Sequence, residues 1–280
     1  MITRIAIFGA AGKMGTRISA KLIDHPEYEL LYVEAGHAGL ESLRERGVEA
    51  TPGPEAAGSA DVVVLAVPDR LVERVSATIA PQMKAGALMI SLDPAAPLAG
   101  DLPDREDIGV FVVHPCHPPI FKDEPTHEAQ QDYFGGIARQ SIVCALMRGP
   151  ESDYCRGEAI AKAMFAPILR SHRITVYQMA LLEPAVTETL QLTCGMVIKE
   201  AMDDIIEQGV PEQAAQDFVM GHFSASLGIV FGYIDAVVSD GAKLSARRAM
   251  GLLFKPDWKD ILSEESVQRQ VRAITHPEEF

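Results

Sequence analysis

Arg4-Ile5-Ala6-Ile7-Phe8-Gly9-Ala10-Ala11-Gly12-Lys13-Met14-Gly15 passes from an unbroken apolar run into a glycine-spaced turn. An amphipathic stretch, residues 13–23, follows at once. An unbroken apolar run fits a strand covered on both faces. Gly9 permits the tight turn, Gly12 lets backbone N–H groups approach a pyrophosphate, and Gly15 lets helix and strand pack closely. Gly9, Ala11, Gly12, Lys13, Met14 and Gly15 are therefore the expected cofactor-binding turn of a Rossmann domain. The spacing is GxxGxxG rather than the commoner GxGxxG, so the strand–turn–helix context carries the assignment.

Working outward, further apolar runs fall at 30–33, 61–67, 87–92, 110–113 and 142–147, with helical patterns such as 70–79 between them. That alternation implies a doubly wound, mostly parallel α/β sheet. Glu34 ends the second run. A carboxylate there accepts hydrogen bonds from the adenosine ribose hydroxyls and repels a 2′-phosphate. No Lys or Arg follows before Arg44, so NAD is expected over NADP. Val67, Pro68 and Asp69 end the next run on the same edge and should line the ribose and nicotinamide. Ser91-Leu92-Asp93-Pro94 ends the fourth and should do likewise.

From about Tyr177 strand-like runs stop, and helical stretches follow at 177–208, 212–238, 240–252 and 264–273. Pro184 should kink the first of these or sit in its first turn. The expected architecture is a Rossmann domain over 1–175 and an all-α domain over 176–280, with substrate between them.

The net charge of −14 over 280 residues repels phosphate backbones and argues against nucleic acid. Residues 218–238 approach membrane-spanning length but contain His222, Ser224, Ser226 and Asp235, which are costly in lipid. They read as a buried helix of a large core or of a homodimer interface. Residues 2–8 lack a signal-peptide pattern, and Cys116, Cys144, Cys155 and Cys194 show no CxxC spacing. Reduced thiols, a cytoplasmic location and no membrane partner are expected.

The chemistry concentrates in two segments. His114-Pro115-Cys116-His117-Pro118-Pro119 follows the fifth run, with prolines that stiffen the loop. A histidine here can act as a base toward a substrate hydroxyl or ligate a metal. Cys116 reads as a small packed residue. The second segment is Glu183-Pro184-Ala185-Val186-Thr187-Glu188. On an α-helix Glu183, Thr187, Leu190 and Cys194 would share a face, with Lys199 about a turn further on. Glu183 sits among apolar neighbours, and a buried carboxylate needs a partner. Lys199, Arg139 and Lys122 are candidates to bind the carboxylate of a small anionic substrate.

The layout resembles the 6-phosphogluconate and 3-hydroxyacid dehydrogenase superfamily. The His-Pro step after a strand is similar to that of prephenate dehydrogenases. More specifically, residues 65–71 (Leu-Ala-Val-Pro-Asp-Arg-Leu), 92–97 (Leu-Asp-Pro-Ala-Ala-Pro), 114–119 and 134–138 (Phe-Gly-Gly-Ile-Ala) together resemble the D-apionate oxidoisomerase family. That resemblance implies NAD-dependent oxidation of D-apionate coupled to isomerisation to 3-oxo-isoapionate through a 1,2-shift of the carboxylate. It fits a divalent metal, expected to be zinc, held by His114 and Glu183 across the cleft, with His117 or Lys199 handling the proton. A plain hydroxyacid dehydrogenase without carbon migration is the nearest alternative. A non-catalytic NAD-sensing protein is a third, although it has no use for the His114–His117 pair.

Overall fold

The computed structural model describes residues 2–280. The strands are β1 (Thr3–Phe8), β2 (Tyr28–Val33), β3 (Val62–Leu65), β4 (Leu88–Ser91), β5 (Gly109–Pro115), β6 (Gln140–Arg148) and β7 (Ile168–Arg173). The helices of the sheet region are α1 (Lys13–Leu22), α2 (His37–Glu45), α3 (Gly53–Ser59), α4 (Asp69–Ile79), α5 (Ala95–Ala99), α6 (His127–Gln131) and α7 (Glu151–Met164). After them come α8 (Val176–Ala180), α9 (Thr193–Glu207), α10 (Glu212–Val230), α11 (Asp240–Leu253) and α12 (Glu264–Thr275).

The seven strands form one sheet in the order β2-β1-β3-β4-β5-β6-β7. The first five run parallel. β6 is antiparallel to β5, and β7 is parallel to β6. Ile5, Ile7, Val62, Val64, Leu88 and Ile90 pack on one face with Ile18 and Leu22 of α1 and Ile160 of α7. Ala6, Phe8, Val63, Leu65 and Met89 pack on the other with Ala56 of α3 and Val72 of α4. Successive residues thus serve opposite cores, and this is why the runs are apolar without a break. β7 was not expected. It is an edge strand whose Leu169, Arg170, His172 and Arg173 are exposed, so it carries no apolar signature.

The chain forms two compact units: the residues up to Glu183 with Gln268–Phe280, and Pro184–Val267. The units therefore divide at Glu183 rather than at the expected 175/176. Met179 of α8 is buried with Val112, Val143 and Ala145 of the sheet, which ties this segment to the first unit. The C-terminal residues also belong there, with His276 Nε2 3.1 Å from both carboxylate oxygens of Asp101.

In the second unit α9 packs on α10. The helix expected to reach residue 238 ends at Val230, where Gly232 takes φ +76° and turns the chain. Residues expected to be buried are open: Phe218 is 67% and Val230 69% exposed. On α10 only Ala215 and Gly228 are buried, and on α11 nothing is. Among the described residues no helix is long and apolar enough to cross a membrane.

Candidate active site

The glycine turn links β1 to α1 as the sequence requires. Gly9 has φ +83°, and a Cβ there would lie 2.4 Å from the Ala66 carbonyl oxygen. At Gly15 a Cβ would lie 2.1 Å from the Gly9 carbonyl oxygen. Gly12 caps α1 with extended backbone and no side-chain cap, so the first-turn N–H groups stay available to an anion.

Glu34 follows β2, and its Oε1 accepts the Ala11 N–H at 2.6 Å. That bond fixes the carboxylate beside the turn, at a cleft of about 540 Å³ lined also by Gly9, Gly12, Val67 and Pro68. Arg74 of α4 lines the same cleft. Sequence order could not place it there, since it comes from a different crossover.

A second chamber of about 360 Å³ adjoins the turn. Lys13, Met14, Val67, Pro68, Asp69, Asp93, His114, His117 and Phe134 line it, so the turn, the β3 edge and the histidine loop converge. His114 stands near the end of β5, paired with Val143 across β6. Its Nδ1 lies 2.9 Å from the Leu92 carbonyl oxygen. A carbonyl only accepts, so Nδ1 carries the proton and Nε2 is the basic nitrogen of the neutral ring. Nε2 lies 3.4 Å from Glu183 Oε2, and Asp93 Oδ2 lies 3.6 Å from Nδ1.

Asp93, His114 and Glu183 each offer a ligand atom, all within 4.8 Å of one another. The sequence assigned Asp93 only to the nicotinamide edge, because spacing does not reveal which carboxylate reaches the imidazole. Asp69 belongs to the same electrostatic group. Burial pushes its carboxyl above the ordinary value, Glu183 adds to the rise, and His114 opposes it.

Glu183 belongs to a π-helical stretch, Leu181–Leu192, with Pro184 inside it. The i→i+5 spacing of a π-helix replaces the α-helical face expected for Glu183, Thr187, Leu190 and Cys194. Glu183 is also the last residue of the first unit, so it shares that unit with His114.

His117 has φ +59°, a left-handed backbone that few non-glycine residues adopt. Its Nδ1–H donates to the Phe134 carbonyl at 2.9 Å. Burial pushes its pKa down, opposed by that hydrogen bond, so the ring is neutral at neutral pH. Cys116, expected to be a small packed residue, is exposed, although partial desolvation and Glu183 raise its thiol pKa above the ordinary value.

The other candidate cations are engaged elsewhere. Lys199, on α9 of the second unit, is ion-paired with Asp203. Arg139 binds Glu124, and Lys122 donates to the Asp132 carbonyl.

Residues 122–275 match the family "Phosphogluconate dehydrogenase (decarboxylating) C-term", and residues 4–94 match "NADP oxidoreductase coenzyme F420-dependent". D-apionate oxidoisomerase of Cupriavidus necator is 45% identical, over 98% of this chain and 100% of its own. The chain belongs to the D-apionate oxidoisomerase family. The family's Blautia hydrogenotrophica member is 40% identical, over 98% of this chain and 97% of its own. A crystal structure of a Cupriavidus necator semialdehyde dehydrogenase NAD-binding protein, in complex with calcium and NAD, superposes with TM-score 0.95. It is 45% identical and covers 98% of this chain and 100% of its own. An archaeal NADH-preferring ketol-acid reductoisomerase, 19% identical with TM-score 0.68 over 99% of this chain and 83% of its own, shares the fold. The chain is thus an oxidoreductase with a Rossmann domain and a helical C-terminal region, as its sequence implied.

Proposed function

We propose that this chain oxidises D-apionate with NAD and rearranges the product to 3-oxo-isoapionate in the same chamber. The coarser statement, an NAD-dependent oxidoreductase, rests on the glycine turn, on Glu34 at the ribose position and on the NAD complex of the 45%-identical relative. The observation that carries the finer reading is the Asp93–His114–Glu183 group beside the glycine turn. A simple dehydrogenase needs one base near the reacting hydroxyl, whereas this group offers three convergent donors.

The residues present fit a divalent cation. Nε2 of His114 faces Glu183, its ring is fixed through Nδ1, and the carboxylates balance positive charge. The relative's crystal holds calcium, whereas zinc was expected from the sequence, and one imidazole with two carboxylates can serve either. When bound, NAD supplies the hydride acceptor and the cation polarises neighbouring substrate oxygens.

The chain's own residues position and exchange protons. His117, neutral with its Nε2 unused by the Phe134 bond, is the base that takes the hydroxyl proton. Electron counting also identifies the migrating group. A new ketone accepts a substituent from the adjacent tertiary carbinol, so a hydroxymethyl group moves rather than the carboxylate expected from the sequence. Carbon-13 NMR of the product formed from D-apionate and NAD tests the reading. A rearranged skeleton is expected; a 2-oxo acid with its original skeleton would reduce the chain to a plain hydroxyacid dehydrogenase.

A second copy of the chain is the partner we propose for the open apolar side chains of α10 and α11, including Phe218, Leu252 and Leu253. A helix with no buried face gains little stability from its own chain.

A further inference from the structure

The Phe134-Gly135-Gly136-Ile137-Ala138 segment enters the chemistry above only through Phe134, yet the whole turn is heavily fastened. Asp132 Oδ1 accepts the N–H groups of Phe134 and Gly135 at 3.0 and 2.7 Å. Its Oδ2 accepts those of Ile137 and Ala138, both at 2.9 Å. These four bonds hold the Asp132 carboxyl down at about 2, despite some burial. Lys21 Nζ donates to the Gly136 carbonyl at 2.7 Å, and Lys122 Nζ to the Asp132 carbonyl at 3.0 Å. Gly135 has φ +94°, and a Cβ there would meet Arg17 Nη2 at 2.4 Å. A turn tied at this many points is built to hold something still.

Phe134 is what it holds. Its carbonyl takes the His117 Nδ1–H, and its ring centroid lies 4.9 Å from that of His117. Over the ring sits Lys13 Nζ, 3.6 Å from the centroid, a cation–π seat that leaves the ammonium donors for another partner. Lys13 forms no ion pair among the described residues and is the only lysine or arginine lining the chamber. Arg17 adds positive charge 5.9 Å from the Phe134 centroid, with both terminal nitrogens buried and without a hydrogen-bond partner. Elsewhere the chamber carries Asp69 and Asp93, with Glu183 against His114. An anionic group is therefore favoured near Lys13 and repelled from the carboxylates.

We propose that Lys13 Nζ, seated on the Phe134 ring, binds the substrate's carboxylate, and that Asp132 is the positioning residue that holds that seat. The assignment rests on reading the chamber as a hydroxy-acid site. It replaces Lys199, Arg139 and Lys122, whose charges are already paired or bonded. The same ammonium chemistry would suit the NAD pyrophosphate, so the test separates the two anions.

D-apionate binding is measured by calorimetry and by turnover, and NAD binding separately, for the wild type, Lys13→Gln, Lys13→Arg and Phe134→Leu. Lys13→Gln should raise Kd and KM for D-apionate about 10- to 100-fold, as loss of one charge-assisted hydrogen bond does, and should raise Kd for NAD by a clearly smaller factor. Lys13→Arg should restore part of the loss, and Phe134→Leu should reproduce part of it. The methyl ester of D-apionate should bind wild type and Lys13→Gln alike. Asp132→Ala should raise KM in the wild type but add little in the Lys13→Gln background, because the two act through one contact. Unchanged D-apionate affinity in Lys13→Gln, or a loss confined to NAD, overturns the assignment. Binding of D-apionate without turnover by the wild type would sink the proposed reaction while leaving the Lys13 comparison decisive. Absence of binding would sink both.

Discussion

The Leu92 carbonyl oxygen lies 2.9 Å from Nδ1 of His114 and so fixes which nitrogen of that ring faces the chamber. Nε2, 3.4 Å from Glu183, is left as the ligand or base. The backbone at the end of β4 thereby sets the chemistry at the end of β5. His114→Ala and Glu183→Gln should each lower kcat on the order of 100-fold or more and weaken cation binding. Metal analysis of the purified variants, with activity before and after exhaustive chelation, checks this. Full activity in the chelated wild type would remove the cation from the reaction.

Glu34 is expected to govern cofactor choice. Glu34→Ala loses the Ala11 contact together with the ribose hydroxyl partners, which should cost about 1–3 kcal/mol in NAD binding. The ratio of kcat/KM for NAD over NADP should fall in the variant. Equal use of the two cofactors by the wild type would refute the role given to Glu34.

Gly15→Ala tests the turn itself. Its Cβ would meet the Gly9 carbonyl oxygen at 2.1 Å, and that backbone atom cannot swing away. Overpacking of this kind costs about 1–3 kcal/mol. A Tm several degrees lower and a weakened NAD complex are expected; an unchanged melt would mean that the turn has room.

The fastening of the C-terminal residues should depend on pH. The His276 pKa is raised, first by its hydrogen bond to Asp101, with Glu278 also favouring the charged ring and Arg272 opposing it. Glu73 Oε2 lies 3.9 Å away on the same side. A histidine whose pKa rises on folding contributes stability fully below its unfolded value, about 6.5, and loses it as pH climbs through the folded value. Hydrogen exchange over 268–280 should therefore be slower at pH 6 than at pH 9 after correction for intrinsic rates. His276→Gln should flatten the difference.

For the second unit, light scattering should give a mass about twice the 30.3 kDa of one chain. The open large apolar side chains amount to on the order of 1,000 Å² per chain, comparable with one side of a stable interface. Leu252→Glu, at a position 85% exposed, should yield a monomer without unfolding the first unit. A monomeric wild type would contradict the proposed partner.

The sheet was legible because four parallel strands, β1, β3, β4 and β5, are buried on both faces for most of their length and leave continuous apolar runs, and the glycine turn was legible because each glycine answers a steric demand. β7 was hidden because an edge strand of Arg, His and Ser has no apolar face. The end of α10 had a visible signal in Gly232, outweighed by the apolar residues that continue to Val238. At the site, His114 and Glu183 stood out by their neighbours, whereas Asp93 and the Lys13–Phe134 pair exist only through chain crossings that spacing does not encode. The π-helical winding around Pro184 has no sequence period of its own to read.

The reversal of β6 has a further consequence. Because β6 runs against β5, the segment between them leaves and re-enters the sheet at one and the same edge. A parallel crossover would have had to travel to the far edge and back. Residues 116–139 therefore form a canopy, rooted at both ends beside the chemistry and carrying His117, Asp132 and Phe134. Grafting this canopy between homologues would therefore test whether it carries the substrate preference proposed for Lys13 and Phe134, apart from the glycine turn that faces the cofactor.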